Sequence, residues 1–277
     1  MQSKAQIDQI LRQKSEARDI PGVVAMAATS KEVIYQGAFG KRELGKDDAM
    51  TPDSVFWIAS MTKAVTTAGA MQLVEQGKLS LDQPMGKLLP ELASPQVLEG
   101  FDAKGEPKLR PATKPITLRH LMTHTAGFCY DMWNGDMGKY MEKTGTPGII
   151  TCQNAALKTP LASDPGTRWE YGINIDFVGK AIEAISGKRL DAYLREHLFA
   201  PLGMSDTAFK IGDDQRKRLV AMHARGPDGA LASMPFELEQ TPEFHMGGGG
   251  LYGTAGDYIR FTQMILNKGR GNGRHCS

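Results

Sequence analysis

At 277 residues and 30.2 kDa the chain can bury a full core, as one large domain or two small ones. Hydrophobic and charged fractions of 41% and 23% are ordinary for a globular protein, so neither disorder nor a fibrous architecture is implied. A formal net charge of +2, with Lys and Arg spread along the chain, gives no reason to expect nucleic acid or an anionic membrane as partner. The start, Met1 to Asp8, has no apolar stretch of signal-peptide type, and no run approaches a membrane span, so a cytoplasmic location is expected. Cys129, Cys152 and Cys276 are an odd set without metal spacing, which fits free thiols in a reducing compartment and no bound metal or cofactor.

In chain order, Ile7, Ile10 and Leu11 line one face of a first helix, which Asp19-Ile20-Pro21-Gly22 breaks. Residues 22–29 and 32–40 read as two strands of a hairpin turning at Ser30-Lys31. From Ser60 a helix is expected, its inner face carried by Val65, Ala68, Met71 and Ala64. Residues 94–115, rich in Pro, Lys and Gly, read as a surface excursion. Residues 116–128 read as a short helix ended by Gly127. His120 and His124 lie four apart on it but lack an acidic companion, so packed histidines are expected rather than a zinc site. Residues 129–160 are aromatic and aperiodic. The turn Asp164 to Tyr171 leads to a helix through Phe177, Val178, Ala181, Ile182 and Ile185 that stops at Gly187. Another amphipathic helix runs from Leu190 to Phe199, then a charged helix or turn from Asp213 to Arg218. The glycines 247–250 precede a last helix through Tyr258, Phe261, Met264 and Leu266; without a P-loop lysine they are read as close backbone packing.

Chemistry concentrates at Ser60-Met61-Thr62-Lys63. Residues three apart share a helix face, so the Lys63 amine can reach the Ser60 hydroxyl and help activate a weak nucleophile. Phe56, Trp57 and Met61 would disfavour a charged ammonium there, and the first turn offers backbone N–H groups to an oxyanion. A lysine in an apolar first turn is poorly placed for the helix dipole and for burial, which argues for a role beyond solubility.

With residues 56–63, Leu118 to Gly127, the Pro165 to Tyr171 turn, Pro201 to Met204 and Gly248 to Ala255 in this order, the chain resembles the serine β-lactamase and penicillin-recognising superfamily, above all class C β-lactamases and family VIII carboxylesterases. The resemblance implies an α+β, β-lactamase/transpeptidase-like fold: an antiparallel sheet flanked by helices, plus an all-helical region. It implies one catalytic domain over 1–277, with the N-terminal helix and hairpin at 1–60, a mainly helical region at 61–245 and a return to the sheet at 246–277. Family members continue through further strands and a helix, so the tail from Asn267 reads as a truncation that leaves the C-terminal strands missing and the oxyanion hole half built. An exposed sheet edge of that kind would favour a homodimer.

Carried onto matching positions, Ser60 is the acyl-accepting nucleophile, Lys63 its activating partner, and Tyr171 the base or proton shuttle, its phenol eased by the nearby lysine. Trp169, Ile173 and Asn174 are the expected substrate-binding residues. Class C enzymes place an asparagine two residues after the tyrosine; here Ile173 stands there, which favours the esterase branch. Lys143-Thr144-Gly145 spells a family motif but precedes Tyr171 and is read as coincidence. The expected function is hydrolysis of short-chain carboxylic esters through an acyl-serine, acting on a small-molecule ester. The alternatives are a β-lactamase or D-Ala-D-Ala peptidase, or a catalytically impaired fragment.

Overall fold

The computed structural model describes residues 3–276 of the chain, as two compact units. One comprises residues up to Ile58 with 197–237 and 251–276; the other comprises 59–196 with 238–250. The segmentation expected at 1–60, 61–245 and 246–277 is therefore cut differently. Residues 197–237 join the N-terminal segment because Val55 is bonded on both sides of its backbone, its N–H to the Arg218 carbonyl at 2.9 Å and its carbonyl to the Val220 N–H at 2.8 Å.

In the first unit, helix α1 (Lys4–Glu16) begins with a Ser3/Gln6 capping box. Strands β1 (Gly22–Ala28) and β2 (Val33–Gly40) form the expected antiparallel hairpin, with Gly22 opposite Gly40. Thr29 closes its turn, the side-chain oxygen accepting from the backbone N–H of Lys31 and of Glu32. The short strand β3 (Phe56–Trp57) pairs with β8 (Tyr252–Gly253). Between them in sequence lie α7 (Ala200–Leu202), α8 (Asp213–Lys217) and the hairpin β6 (Met222–Arg225) and β7 (Leu231–Met234). Helix α9 (Ala255–Leu266) is capped by Thr254, whose side chain accepts from Asp257 N–H. The tail from Asn267, read from the sequence as a truncation, forms a small hairpin, β9 (Arg270–Gly271) with β10 (Arg274–His275). Its Asn272-Gly273 pair has φ of 49° and 71°, the positive values that a two-residue hairpin turn demands.

The second unit is built around helices α2 (Thr62–Glu75) and α5 (Asn174–Ser186). The inner face of α2 is Thr62, Lys63, Val65, Thr66, Gly69, Ala70 and Leu73, whereas Ala64 and Met71 of the expected face are exposed. Its buried side carries Thr62, Lys63, Thr66 and Gln72 beside the apolar residues, so periodicity alone cannot phase it. Gly69 decides, because a Cβ there would lie 2.8 Å from Leu194 Cδ2 on α6 (Leu190–Leu194). The stretch expected to be an excursion is the hairpin β4 (Gln96–Phe101) and β5 (Pro107–Pro111). Prolines are tolerated at the ends of β5 because a two-stranded hairpin leaves one ladder edge free. Helix α3 (Leu118–Met122) ends at Thr123, earlier than expected, and α4 (Gly135–Thr144) follows. Helix α5 stops at Gly187 in the left-handed conformation, as read from the sequence. The amphipathic segment from Leu190 is α-helical only to Leu194 and continues as a π-helical turn to Phe199.

Phe177 on α5 is fully buried and stacks on Phe128, ring centroids 4.6 Å apart. Phe177→Ala is expected to cost about 3–5 kcal/mol of unfolding free energy in urea titrations; a loss below about 1 kcal/mol would show that this stack does not organise the unit.

Candidate active site

Ser60 lies on a 3-10 turn, Ala59–Met61, that runs into α2. It is exposed, and Ala59 before it has φ of 45°, a left-handed value that a side chain makes costly. A strained residue directly before an accessible hydroxyl is a common sign of a functional turn. One turn further on, Lys63 is 9% exposed. Its Nζ donates to Ser60 Oγ at 3.1 Å, to the Tyr130 hydroxyl at 3.1 Å and to the Gly248 carbonyl at 2.6 Å. Three acceptors match the three donors of an ammonium, so the buried nitrogen is fully satisfied. It also lies 4.6 Å from the Tyr171 ring centroid and 5.4 Å from that of Tyr130.

The two tyrosines beside Lys63 are held in opposite directions. Burial drives the Tyr130 phenol well above its ordinary value, helped by the charges of Asp176 and Tyr171. Burial also pushes on Tyr171, but hydrogen bonding with Lys63 and Ser60 and the lysine's charge outweigh it, and the phenol titrates below its usual range. Neighbouring groups whose environments pull them apart are suited to separate proton-donor and proton-acceptor roles.

The turn that carries Tyr171 is fixed by backbone packing. A Cβ at Gly172 would meet Cys129 Cα at 2.4 Å and the Phe128 carbonyl at 2.5 Å, so only glycine fits. Tyr130 N–H donates to the Tyr171 carbonyl at 3.3 Å, tying the two tyrosine segments together. Asn174, the first residue of α5, is fully buried; its amide nitrogen lies 3.0 Å from His124 Nδ1 and donates to the Phe128 carbonyl at 3.1 Å. Ile173 is 4% exposed. Both residues therefore face the interior, where they shape the turn and offer a substrate little surface. Trp169 is 65% exposed and lies against Tyr171 with ring centroids 6.0 Å apart. Trp133, 67% exposed, is 5.6 Å from Tyr171, so two indoles flank the phenol as an apolar rim.

His120 and His124 are engaged locally. His120 Nδ1 accepts from Thr117 N–H, completing the cap of α3, and His124 packs 4.8 Å from the Tyr171 ring. Lys143-Thr144-Gly145 is the end of α4, with Gly145 at φ of 67° as its C-cap and Lys143 paired with Glu106. The Gly247–Gly249 run is close backbone packing, since a Cβ would sit 3.1 Å from Ile175 O at 247, 2.6 Å from Asp176 Oδ2 at 248 and 2.9 Å from Met246 Cε at 249. Among the described residues no helix is long and apolar enough to cross a membrane.

Sequence reasoning placed Ser60, Lys63 and Tyr171, which the fold brings together, but missed Tyr130, the Gly248 carbonyl and Asp176. Tyr130 lies in an aperiodic stretch that gives no phase. Asp176 did leave a signal, as an acid within the apolar run Ile175 to Val178.

The Beta-lactamase family model matches residues 7–275. The acyltransferase mokF of Monascus pilosus is 35% identical over 281 residues, covering 95% of this chain and 66% of the relative. The lovastatin esterase of Penicillium rubens is 33% identical over 258 residues, covering 89% and 64%. Among solved structures, the LovD6 mutant of simvastatin synthase from Aspergillus terreus superposes with a TM-score of 0.85 at 33% identity, covering 96% of this chain and 67% of that one. The chain thus spans about two thirds of the length of the curated relatives it matches. It belongs to the β-lactamase family, with the mixed helix-and-sheet fold that the sequence resemblance implied.

His124 offers a direct check on this geometry. Burial and then the charge of Lys63 lower its imidazole to about 4. An unfolded chain would bind that proton near pH 6.5, so stability is expected to fall as the pH drops from about 6.5 toward about 4. Nitrogen-15 NMR should find a neutral ring at pH 6 with Nδ1 unprotonated and accepting from Asn174; an imidazolium at that pH would contradict the arrangement.

Proposed function

We propose that this member of the β-lactamase family is an acyl-transfer enzyme working through an acyl-Ser60 intermediate, with an ester or thioester as donor and an alcohol or water as acceptor. The carrying observation is the contact of Lys63 Nζ with Ser60 Oγ and the Tyr130 hydroxyl at once, with the Tyr171 ring at 4.6 Å. The names of the relatives point the same way, one an acyltransferase, one a synthase and one an esterase.

In this reading Ser60 Oγ attacks the donor carbonyl while its proton passes to the Tyr171 phenolate, which the Lys63 ammonium stabilises. The backbone N–H of Ser60, at the start of the helical turn, faces the developing oxyanion. When the tetrahedral intermediate collapses, the Tyr171 proton goes to the departing alkoxide or thiolate, leaving acyl-Ser60 and the phenolate. An acceptor hydroxyl then gives its proton to Tyr171 and attacks the acyl carbon, and Ser60 leaves with that proton. Ester hydrolysis is the same cycle with water as acceptor. Acyl transfer to a bulky alcohol is preferred because Trp133 and Trp169 provide apolar surface beside Tyr171. A β-lactam substrate is the weaker reading, because Ile173 stands where class C enzymes have asparagine and Asn174 is committed to His124 and Phe128.

Incubation with a fluorophosphonate is expected to add one adduct by intact mass, absent from Ser60→Ala. With a nitrophenyl butyrate donor, adding a hydrophobic alcohol should divert product from acid to ester, and a chromogenic cephalosporin should be turned over far more slowly. Tyr171→Phe should lower acylation about a hundred- to ten-thousand-fold with little change in melting temperature. A folded wild-type protein that takes no adduct would refute the proposal.

A further inference from the structure

The acyl-transfer cycle leaves one buried charge without a task. Asp176 on α5 is fully buried, and nothing in the cycle above touches it. Its Oδ1 accepts from Gly248 N–H at 2.9 Å, while Oδ2 has no hydrogen-bond partner among the described residues and faces the bare Gly248 Cα. The same Gly248 presents its carbonyl to Lys63 Nζ at 2.6 Å. One residue earlier, the Gly247 carbonyl accepts from Thr66 Oγ1 at 2.8 Å, on the turn of α2 that follows Lys63. The strand of chain at 247–248 is thus a strap, fastened to α5 by Asp176 and to α2 by Thr66. Its glycines are what allow it to lie so close.

Building on the acyl-transfer reading, we propose that Asp176 is a positioning residue: it holds the Gly247–Gly248 strap so that the Gly248 carbonyl steers Lys63 onto Ser60, and it supplies the buried counter-charge to the Lys63 ammonium. A buried carboxylate with a single hydrogen bond is costly unless a cation compensates it. Burial pushes Asp176 up to about 6, while the Gly248 N–H and the charge of Lys63 pull the other way, so at neutral pH the carboxylate is the major form. The titratable groups that feel it are Lys63 from α2, Tyr130 from the loop after α3, Tyr171 from the turn before α5, and the buried Cys152 thiol. Each of the three acids is pushed up by that negative charge. A residue kept only for packing would not couple to the titration of the nucleophile's neighbours.

The geometry separates two jobs that different substitutions can remove. Asp176→Asn keeps an oxygen for the Gly248 N–H and abolishes the charge. Asp176→Leu abolishes both. Thr66→Val loosens the strap at its other fastening and leaves the charge in place.

The test combines tyrosine ring carbon-13 NMR titration with the rate of fluorophosphonate labelling of Ser60 against pH, on the full chain. In Asp176→Asn the Tyr171 titration is expected to move to lower pH, because removing a neighbouring anion eases deprotonation. The rising limb of the labelling profile should move with it. In Thr66→Val the plateau rate should drop roughly ten- to a hundredfold with the limb unmoved, since the charge is intact and only alignment suffers. Asp176→Leu should show both changes. An unmoved Tyr171 titration in folded Asp176→Asn would overturn the counter-charge role, and an unchanged plateau in Thr66→Val would overturn the strap, which that variant decides even where the Asp176 variants do not fold. Because the NMR titration needs no turnover, a wild type that fails to label refutes the acyl-transfer reading while the Tyr171 shift still decides the role of Asp176.

Discussion

A lysine amine taken almost entirely out of water must find an acceptor for each of its protons, and that constraint organises the second unit. Lys63 finds them in the Ser60 hydroxyl, the Tyr130 hydroxyl and the Gly248 carbonyl. The three come from separate parts of the chain. The serine is one helical turn away, the tyrosine lies in the segment after α3, and the carbonyl comes from a strap far along the sequence. None of these can move without stranding a charge, and an uncompensated buried charge costs several kcal/mol. The alignment of the Ser60 hydroxyl is in this sense a by-product of satisfying the lysine.

The same demand explains features that look unrelated. Glycines at 247 and 248 bring a backbone carbonyl close enough to the amine, because any side chain there would strike Ile175 or Asp176. Gly172 lets the Tyr171 turn lie directly on Phe128 and Cys129. Asn174 then ties that turn to His124 and to the Phe128 carbonyl. Each device replaces side-chain bulk with backbone contact. A site made this way is rigid without needing a large apolar core of its own.

What the sequence revealed follows from which of these interactions are local. Ser60 and Lys63 are three residues apart on a helix, so their meeting was legible from spacing alone. The β1–β2 hairpin and the Gly187 stop were legible for the same reason, because each is governed by residues within a few positions. The inner face of α2 was misassigned because the buried side carries Thr62, Lys63 and Thr66 while the apolar Ala64 and Met71 face outward, and the close approach to Leu194 that phases the helix is long-range. The β4–β5 hairpin was hidden by its prolines, which argue against a central strand but not against an edge. Tyr130 reaches Lys63 across 67 positions and Gly248 across 185, and no periodicity reports such distances. Tyr171 was found only through family resemblance, since a tyrosine beside a tryptophan otherwise reads as packing.

The aromatic rim bears on which acceptor an acyl-Ser60 would meet. Water is present at very high concentration, so an alcohol can compete only if binding raises its effective concentration at the acyl carbon. Trp133 and Trp169 leave most of their ring surface exposed on either side of Tyr171. Covering that surface contributes about 25 cal/mol for each Å² removed from water, so an acceptor covering roughly 150 Å² would gain about 4 kcal/mol. Much of that gain is offset by the lost freedom of the bound molecule. The same covering expels water from the hydroxyl-accepting side of Tyr171, which slows the competing hydrolysis. A small acceptor gains neither effect, and with it the site would act as an esterase. On the proposed cycle, the division between transferase and hydrolase would be a matter of how much of the two indoles the acceptor covers, with Ser60, Lys63 and Tyr171 in the same roles in both.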